Sequence, residues 1–291
     1  MTSSWMLVAG ALFAAMGSFA KSVGHQFSGA ELAMYRALFG LVAIGAFVLW
    51  RRESLQTQFA WGHFWRGATG TVSLVAYFYA MTQLPLATAI TLNYTSPIFL
   101  TLLSTLALGE RPSRRILIAV TLGMVGAAMV LRPTFAGDQA VTGLLGLGSG
   151  FFAALAYLNV KKLGDAGEPE WRVVFYFSLA GVIGGAATQW VMGPFHPFTT
   201  DNVLPVLGVG LSATIAQLAM TRAYHSGETL KVGVYAYSTV VFSAFAGWVF
   251  FNEVLPPVAW AGIGVVIAAG LIAKGRPAST TTRPALPAEE D

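Results

Sequence analysis

Ten long apolar stretches follow one another along the chain, and no other feature narrows the possible folds as much. They run over about Ser4–Phe19, Glu31–Trp50, Trp65–Met81, Ala87–Leu108 and Arg115–Leu131, then Val141–Val160, Trp171–Met192, Asn202–Tyr224, Leu230–Phe251 and Val258–Ala273. A bilayer crossing needs roughly 20 predominantly apolar residues, so each stretch is long enough to span as a helix. The composition agrees. Only 10% of residues are charged, whereas water-soluble domains carry about 25%, and mean hydropathy is +0.64. Ten crossings consume about 200 residues, which leaves too few for a sizeable soluble domain. The expected fold class is an all-α integral membrane protein with ten transmembrane helices.

Turn chemistry separates the stretches: Arg51-Arg52-Glu53, Leu84-Pro85, Glu110-Arg111-Pro112, Arg132-Pro133, Gly164–Pro169, Gly193-Pro194, His225-Ser226-Gly227 and Pro256-Pro257. Lys and Arg collect in cytoplasmic loops. With ten spans both termini share one side. That side receives Arg51, Arg52, Arg66, Arg111, Arg114, Arg115, Lys161, Lys162, Arg172, Arg222, Lys231, Lys274, Arg276 and Arg283, against Lys21, Arg36 and Arg132 opposite. Both ends are therefore expected in the cytoplasm, and the N-terminal segment reads as a retained first helix rather than a cleaved signal. A net charge of +4, scattered in this way, does not suit nucleic acid. With no Cys and four dispersed His, thiolate chemistry is excluded and a zinc site is not expected.

The two halves of the chain repeat. Tyr94-Thr95-Ser96-Pro97-Ile98-Phe99 aligns with Tyr237-Ser238-Thr239-Val240-Val241-Phe242, and Glu110 meets Glu253 at the same offset. Pro112 and Pro256, Gly126 and Gly270, and Arg132-Pro133 and Arg276-Pro277 follow with one residue inserted. Five helices per half is an odd number, so the second half enters the membrane inverted, as in secondary transporters. The expected repeats cover 4–133 and 141–275, and the polar tail 276–291 reads as disordered.

The connection Leu84-Pro85-Leu86-Ala87, the Tyr94–Pro97 segment, the ending Leu106-Ala107-Leu108-Gly109-Glu110 and its counterpart Phe250-Phe251-Asn252-Glu253 resemble the drug/metabolite transporter superfamily. Within it, they resemble the ten-helix EamA members. Tyr35-Arg36-Ala37-Leu38-Phe39-Gly40 fits the same pattern. The resemblance covers residues 4 to 275 and implies a multi-pass inner-membrane carrier of small organic metabolites. Export of amino acids or related compounds leads, and uptake of a heterocycle such as S-adenosylmethionine or riboflavin is the alternative. The resemblance implies no cofactor and no enzymatic activity, and either a monomer or a homodimer is compatible with it.

Substrate sites in such folds lie between the repeats near the midplane, where a polar group must line a cavity or find a partner. Asn93, Tyr94 and Ser96 precede Pro97, whose missing N–H frees a carbonyl and marks a helix break for gating. Val240 replaces Pro97 in the second half, which predicts a break in the first half only. Asn93 suits either an amide-bearing or zwitterionic ligand or an interhelical bond. Tyr77, Tyr157, Asn159, Gln217 and Tyr237 supply aromatic faces and hydrogen-bonding ends for a flat ligand. Tyr79, Tyr224 and most Trp suit the interfacial belt instead. Arg36 matches a carboxylate bidentately or snorkels to headgroups, and Arg222 has the same two options. Glu110 and Glu253 read as loop caps or partners of Arg111 or Arg115. No Asp or Glu falls inside a span and no basic cluster is expected at mid-membrane, which favours transport driven by the substrate gradient and argues against polyphosphates.

Overall fold

The computed structural model describes residues 2–84, 86–133 and 140–274, with side chains at all of these positions except 78, 81, 82, 86 and 87. Pro85, Arg276-Pro277, Arg283 and the expected disordered tail lie outside the described residues. A single 3-10 turn, Thr2–Ser4, leads into α1 (Trp5–Val23), followed by α2 (Gly29–Arg51), α3 (Ala60–Gln83), α4 (Leu86–Asn93), α5 (Ser96–Leu108) and α6 (Arg114–Leu131). The second half repeats the order as α7 (Ala140–Asp165), α8 (Glu170–Met192), α9 (Thr200–Ser226), α10 (Thr229–Ala236), α11 (Ser238–Phe251) and α12 (Pro257–Lys274). Nine spans among the described residues are long and apolar enough to cross a membrane by themselves, counting α4–α5 and α10–α11 as one span each. The remaining span, α3, is 24 residues long.

Local chemistry sets the ends. Ser28 and Glu31 form a reciprocal capping box on α2, and Thr199 and Asn202 form another on α9. Ser113 caps α6 through the Ile116 N–H. Gly109, at φ 66°, closes α5 in the left-handed conformation that glycine adopts without a steric cost.

The packing has inverted symmetry. The heaviest interhelical contacts are α3 with α7, α1 with α9, α6 with α12, and α2 with α8. Exchanging the halves converts α3–α7 into α9–α1 and leaves α6–α12 and α2–α8 unchanged, so the contact pattern maps onto itself. Small residues make this possible in lipid, where helix association depends on close van der Waals contact. A carbon added at Gly150 on α7 would lie 2.5 Å from Thr95 Oγ1 and 2.9 Å from the Leu92 carbonyl. Its counterpart Gly10 on α1 would meet Ser238 Oγ at 2.7 Å. Thus the first helix of each half carries a glycine that rests on the interrupted fourth helix of the other half. Away from these seams apolar side chains point outward, as lipid permits: Trp190 is 84% and Leu204 75% exposed.

The interruption occurs in both halves, which corrects the expectation of a proline-made break in one. Between α4 and α5 the ladder tightens to i→i−3 bonds, Thr95 N–H to Leu92 O and Ile98 N–H to Thr95 O. Between α10 and α11 it does so again, Tyr237 N–H to Val234 O and Val240 N–H to Tyr237 O. Pro97 sits in the first turn of α5, where an N–H is not needed; it accompanies the break, and the second half makes one without it.

The helix ends carry buried acids. On one side Glu31, fully buried, accepts from the His196 backbone N–H at 2.6 Å and faces His196 Nδ1 at 2.8 Å. On the other, Glu168 accepts from Thr57 and Arg172 and faces His63 Nε2 at 3.0 Å. Each pair joins the start of the second helix of one half to the start of the third helix, or the loop before it, in the other. Glu253 pairs with Lys21, across halves, rather than with Arg111 or Arg115 as the sequence suggested.

Candidate functional site

A cavity of about 340 Å³ lies between the halves, and residues from both line it. Seven of the nine predicted binding residues reach it: Arg36 from α2, Tyr77 from α3, Asn93 at the end of α4, Tyr94 in the tightened turn, Ser96 at the start of α5, Tyr157 from α7 and Gln217 from α9. The α4–α5 interruption accounts for three of these, because it turns consecutive polar residues away from a continuous helical face.

Asn93 does both things its chemistry allows. Its amide donates to Ser149 Oγ at 3.0 Å on α7, and it lines the cavity. Ser149 in turn donates to the Gly146 carbonyl and its own carbonyl accepts from Ser73, which fixes this wall. Tyr157 stacks on Tyr224 with centroids 4.8 Å apart and planes at 12°. Tyr224 is fully buried by that stack, so it does not belong to the interfacial belt where the sequence placed it. Tyr79, by contrast, is 51% exposed on the outer surface.

Two predicted residues do not line the cavity. Asn159 is two positions from Tyr157, and two residues turn a helix by about 200°; with Tyr157 facing inward, Asn159 faces away. Tyr237 is fully buried beside the cavity wall, stacked on Tyr94 at 6.3 Å, with its ring filling the space a side chain at Gly123 would need. The second half instead contributes Ala236, Thr239, Val240 and Ser243. Arg222 is also absent from the lining; it is exposed, its guanidinium 4.9 Å from the Trp5 ring centroid. Pro97 packs beside Gly233 rather than on the cavity surface.

Arg66, counted from sequence among the cytoplasmic loop charges, is the main omission. The helix begins at Ala60, not Trp65, so Arg66 falls in its second turn and faces the bundle. It is 2% exposed, lines the cavity with Arg36, and lies over the Phe177 ring, 3.8 Å from the centroid. The cavity therefore holds two guanidiniums where the sequence offered one, Arg36. The signal was present in Gly70, four residues on, which leaves the space that the guanidinium occupies.

Among the described residues no Asp or Glu lines the cavity. Among the described residues no three His, Asp or Glu gather as a metal site. Outside the spans, burial pushes the Glu168 carboxyl up, but hydrogen bonds from Thr57, His63 and Arg172 outweigh it and hold the group below the usual carboxylate range.

A largely apolar cavity with a few convergent polar groups, set between two inverted halves with interrupted helices, is the architecture of a multi-pass membrane carrier. Comparison with known proteins makes the class specific. The EamA-like transporter family matches residues 1–132 and again 141–273, and the chain belongs to that family, within the drug/metabolite transporter superfamily. Among its relatives, the Pseudopaline exporter CntI of Pseudomonas aeruginosa is 30% identical over 272 residues, covering 91% of this chain and 92% of that one. The Riboflavin transporter of Vibrio cholerae is 30% identical over 271 residues, covering 90% and 89%. The S-adenosylmethionine uptake transporter of Rickettsia bellii is 22% identical over 253 residues, covering 86% and 84%. A crystal structure at 19% identity superposes with a TM-score of 0.82 over 94% of this chain and 96% of that one, a likeness of fold. The family and these relatives are transporters, and none is named as an enzyme.

Proposed function

We propose that the protein exports amino acids or related small organic compounds across the inner membrane by alternating access, with both termini in the cytoplasm and the 340 Å³ cavity as the substrate site. The observation that carries this reading is the convergence of Arg36, Asn93 and the tyrosines on one cavity between the halves. A guanidinium matches a carboxylate bidentately, Asn93 offers both donor and acceptor, and aromatic walls take an apolar side chain. The likeness to an exporter over nine-tenths of both chains supports the direction. The cytoplasmic orientation still has the basic loops behind it once Arg66 is removed from the count.

Uptake of a heterocycle is the second reading, favoured by the tyrosine faces and by the riboflavin transporter relative. Counterflow in proteoliposomes separates the two. Vesicles loaded with an unlabelled amino acid mixture should accumulate labelled amino acid transiently and saturably, and Asn93→Ala or Arg36→Gln should abolish the overshoot. Overshoot with riboflavin and with no amino acid would replace the first reading by the second.

A further inference from the structure

We infer that the cavity is built for a small organic dianion, with Arg36 and Arg66 as its two anion-binding groups; this rests on the reading of the cavity as the substrate site. Arg66 is 2% exposed, and its Nε and Nη1 make no hydrogen bond among the described residues. It is held in position rather than free to reach a headgroup. Phe177 lies under the guanidinium at 3.8 Å, and a carbon added at Gly70 would strike Nη1. Gln217 Nε2, on a side chain 5% exposed at the same cavity, is likewise a donor without an acceptor. Among the described residues, the acceptor that Arg36 meets is the weak Met16 Sδ, 3.8 Å from Nη1.

The charges do not balance inside the protein. All ion pairs among the described residues involve Glu31, Glu168, Asp165, Glu228 or Glu253, and none includes Arg36 or Arg66. Arginine cannot shed its proton to escape burial, and an unpaired charge away from water is costly. Two guanidiniums with no carboxylate beside them therefore favour a ligand that brings two negative charges. A monoanion leaves one cation unmatched, and a cationic ligand adds to the repulsion. Tyr77, Tyr94 and Tyr157 line the same cavity and give it aromatic faces beside the charges. Two carboxylates and one phosphate monoester meet this requirement equally.

The test is a charge ladder on one frame: benzoate, the three benzenedicarboxylates and phenyl phosphate, titrated by calorimetry into the purified full chain in neutral detergent. At least one dianion should bind about tenfold or more tightly than benzoate. Binding of a dicarboxylate but not phenyl phosphate, or the reverse, identifies which acid the site takes. Arg66→Gln and Arg36→Gln should each collapse the dianion-to-benzoate ratio towards one, which loss of packing alone would not do. Arg66→Lys, which keeps the charge, should retain part of the preference if Arg66→Gln fails to elute as a monodisperse peak. Equal affinity for benzoate and the dianions, an undiminished preference in both Gln variants, or no dianion binding to monodisperse wild-type protein would overturn the inference. Dianion preference with no amino acid counterflow would leave this inference standing and remove the exporter reading; counterflow with no dianion preference would do the opposite.

Discussion

Replacing Gly262 by Ala should destabilise the protein, while replacing Gly264, two residues away on the same helix, should not. A methyl carbon at Gly262 would lie 2.7 Å from the Gly126 carbonyl oxygen, 2.7 Å from Met129 Cβ and 3.0 Å from the Val130 nitrogen. Ordinary contact for such a carbon begins at 3.4 Å, so the first two approaches are about 0.7 Å too close. Two of the three atoms are backbone and cannot rotate aside, so α6 and α12 must part. Overpacking of this kind costs about 1–3 kcal/mol, and the better helix propensity of alanine returns at most about 1 kcal/mol. With two backbone atoms among the three clashes the cost falls in the upper part of that range, about 2–3 kcal/mol, and the expected net loss is about 1–2 kcal/mol. At Gly264 nothing lies within 4 Å of the added carbon, so only the propensity gain of up to about 1 kcal/mol remains. The two variants should thus melt on opposite sides of wild type, read as the monodisperse fraction surviving a temperature series in detergent. Gly262→Ala melting at or above wild type, or Gly264→Ala losing as much as Gly262→Ala, would refute the close-contact argument.

Glu168→Gln should cost about 1.5–3 kcal/mol, because it weakens charge-assisted bonds from Thr57, His63 and Arg172. With the folded-state Glu168 held below the usual carboxylate range, its stabilisation is complete above the unfolded-state value and is lost as pH falls through the lowered folded one. Acidification into and below that range should therefore lower the wild-type melting point more than that of Glu168→Gln, and parallel pH curves would contradict this. Ser28→Ala removes the capping box of α2 and should cost about 0.5–2 kcal/mol, measured by the same melting assay. Lys21→Met should change stability by less than about 1 kcal/mol, since both it and Glu253 are about half exposed; a loss several times larger would show that this pair links the halves more strongly than its exposure implies.

The spans were legible because lipid imposes a simple rule: a helix must be apolar over its full length, and the turn residues between the runs then mark the joints. The cavity residues were legible for a related reason, since Asn93, Tyr94, Tyr157 and Gln217 are polar where lipid tolerates nothing unpaired. Asn159 shows the limit of listing polar residues without their angular position; its two-residue separation from Tyr157 already placed one of them outside. Arg66 failed differently. With the span begun at Trp65, the arginine stood at its very end and was counted with the loop charges, whereas the helix starts five residues earlier, at Ala60. The second tightened turn was overlooked because proline was given the weight that belongs to backbone geometry. The Glu–His pairs involve residues more than 100 positions apart, Glu31 with His196 and His63 with Glu168, and single-sequence spacing has no means of joining them.

The scaffold is symmetric and the charge is not. Both halves possess an interrupted fourth helix, a glycine from the opposite half resting on it, and a buried Glu facing a His across the boundary. Alternating access requires such duplication, because the two faces of the membrane must be opened and closed by equivalent parts. Among the described residues the second half places no Lys or Arg on the cavity lining; beside the first half's two guanidiniums it sets Phe177. Phe177 carries the Arg66 guanidinium on its ring, so the second half supports a charge that it does not itself supply. Had the second half supplied two arginines as well, four uncompensated cations would share one cavity, with repulsion that no small ligand offsets. The scaffold is thus duplicated, while the cavity's charge lies in the first half. Arg66→Val should therefore remove the dianion preference in the same calorimetric charge ladder, because the Phe177 face and the space beside Gly70 would hold no cation; an unchanged preference would show that the charge is not placed by these two supports.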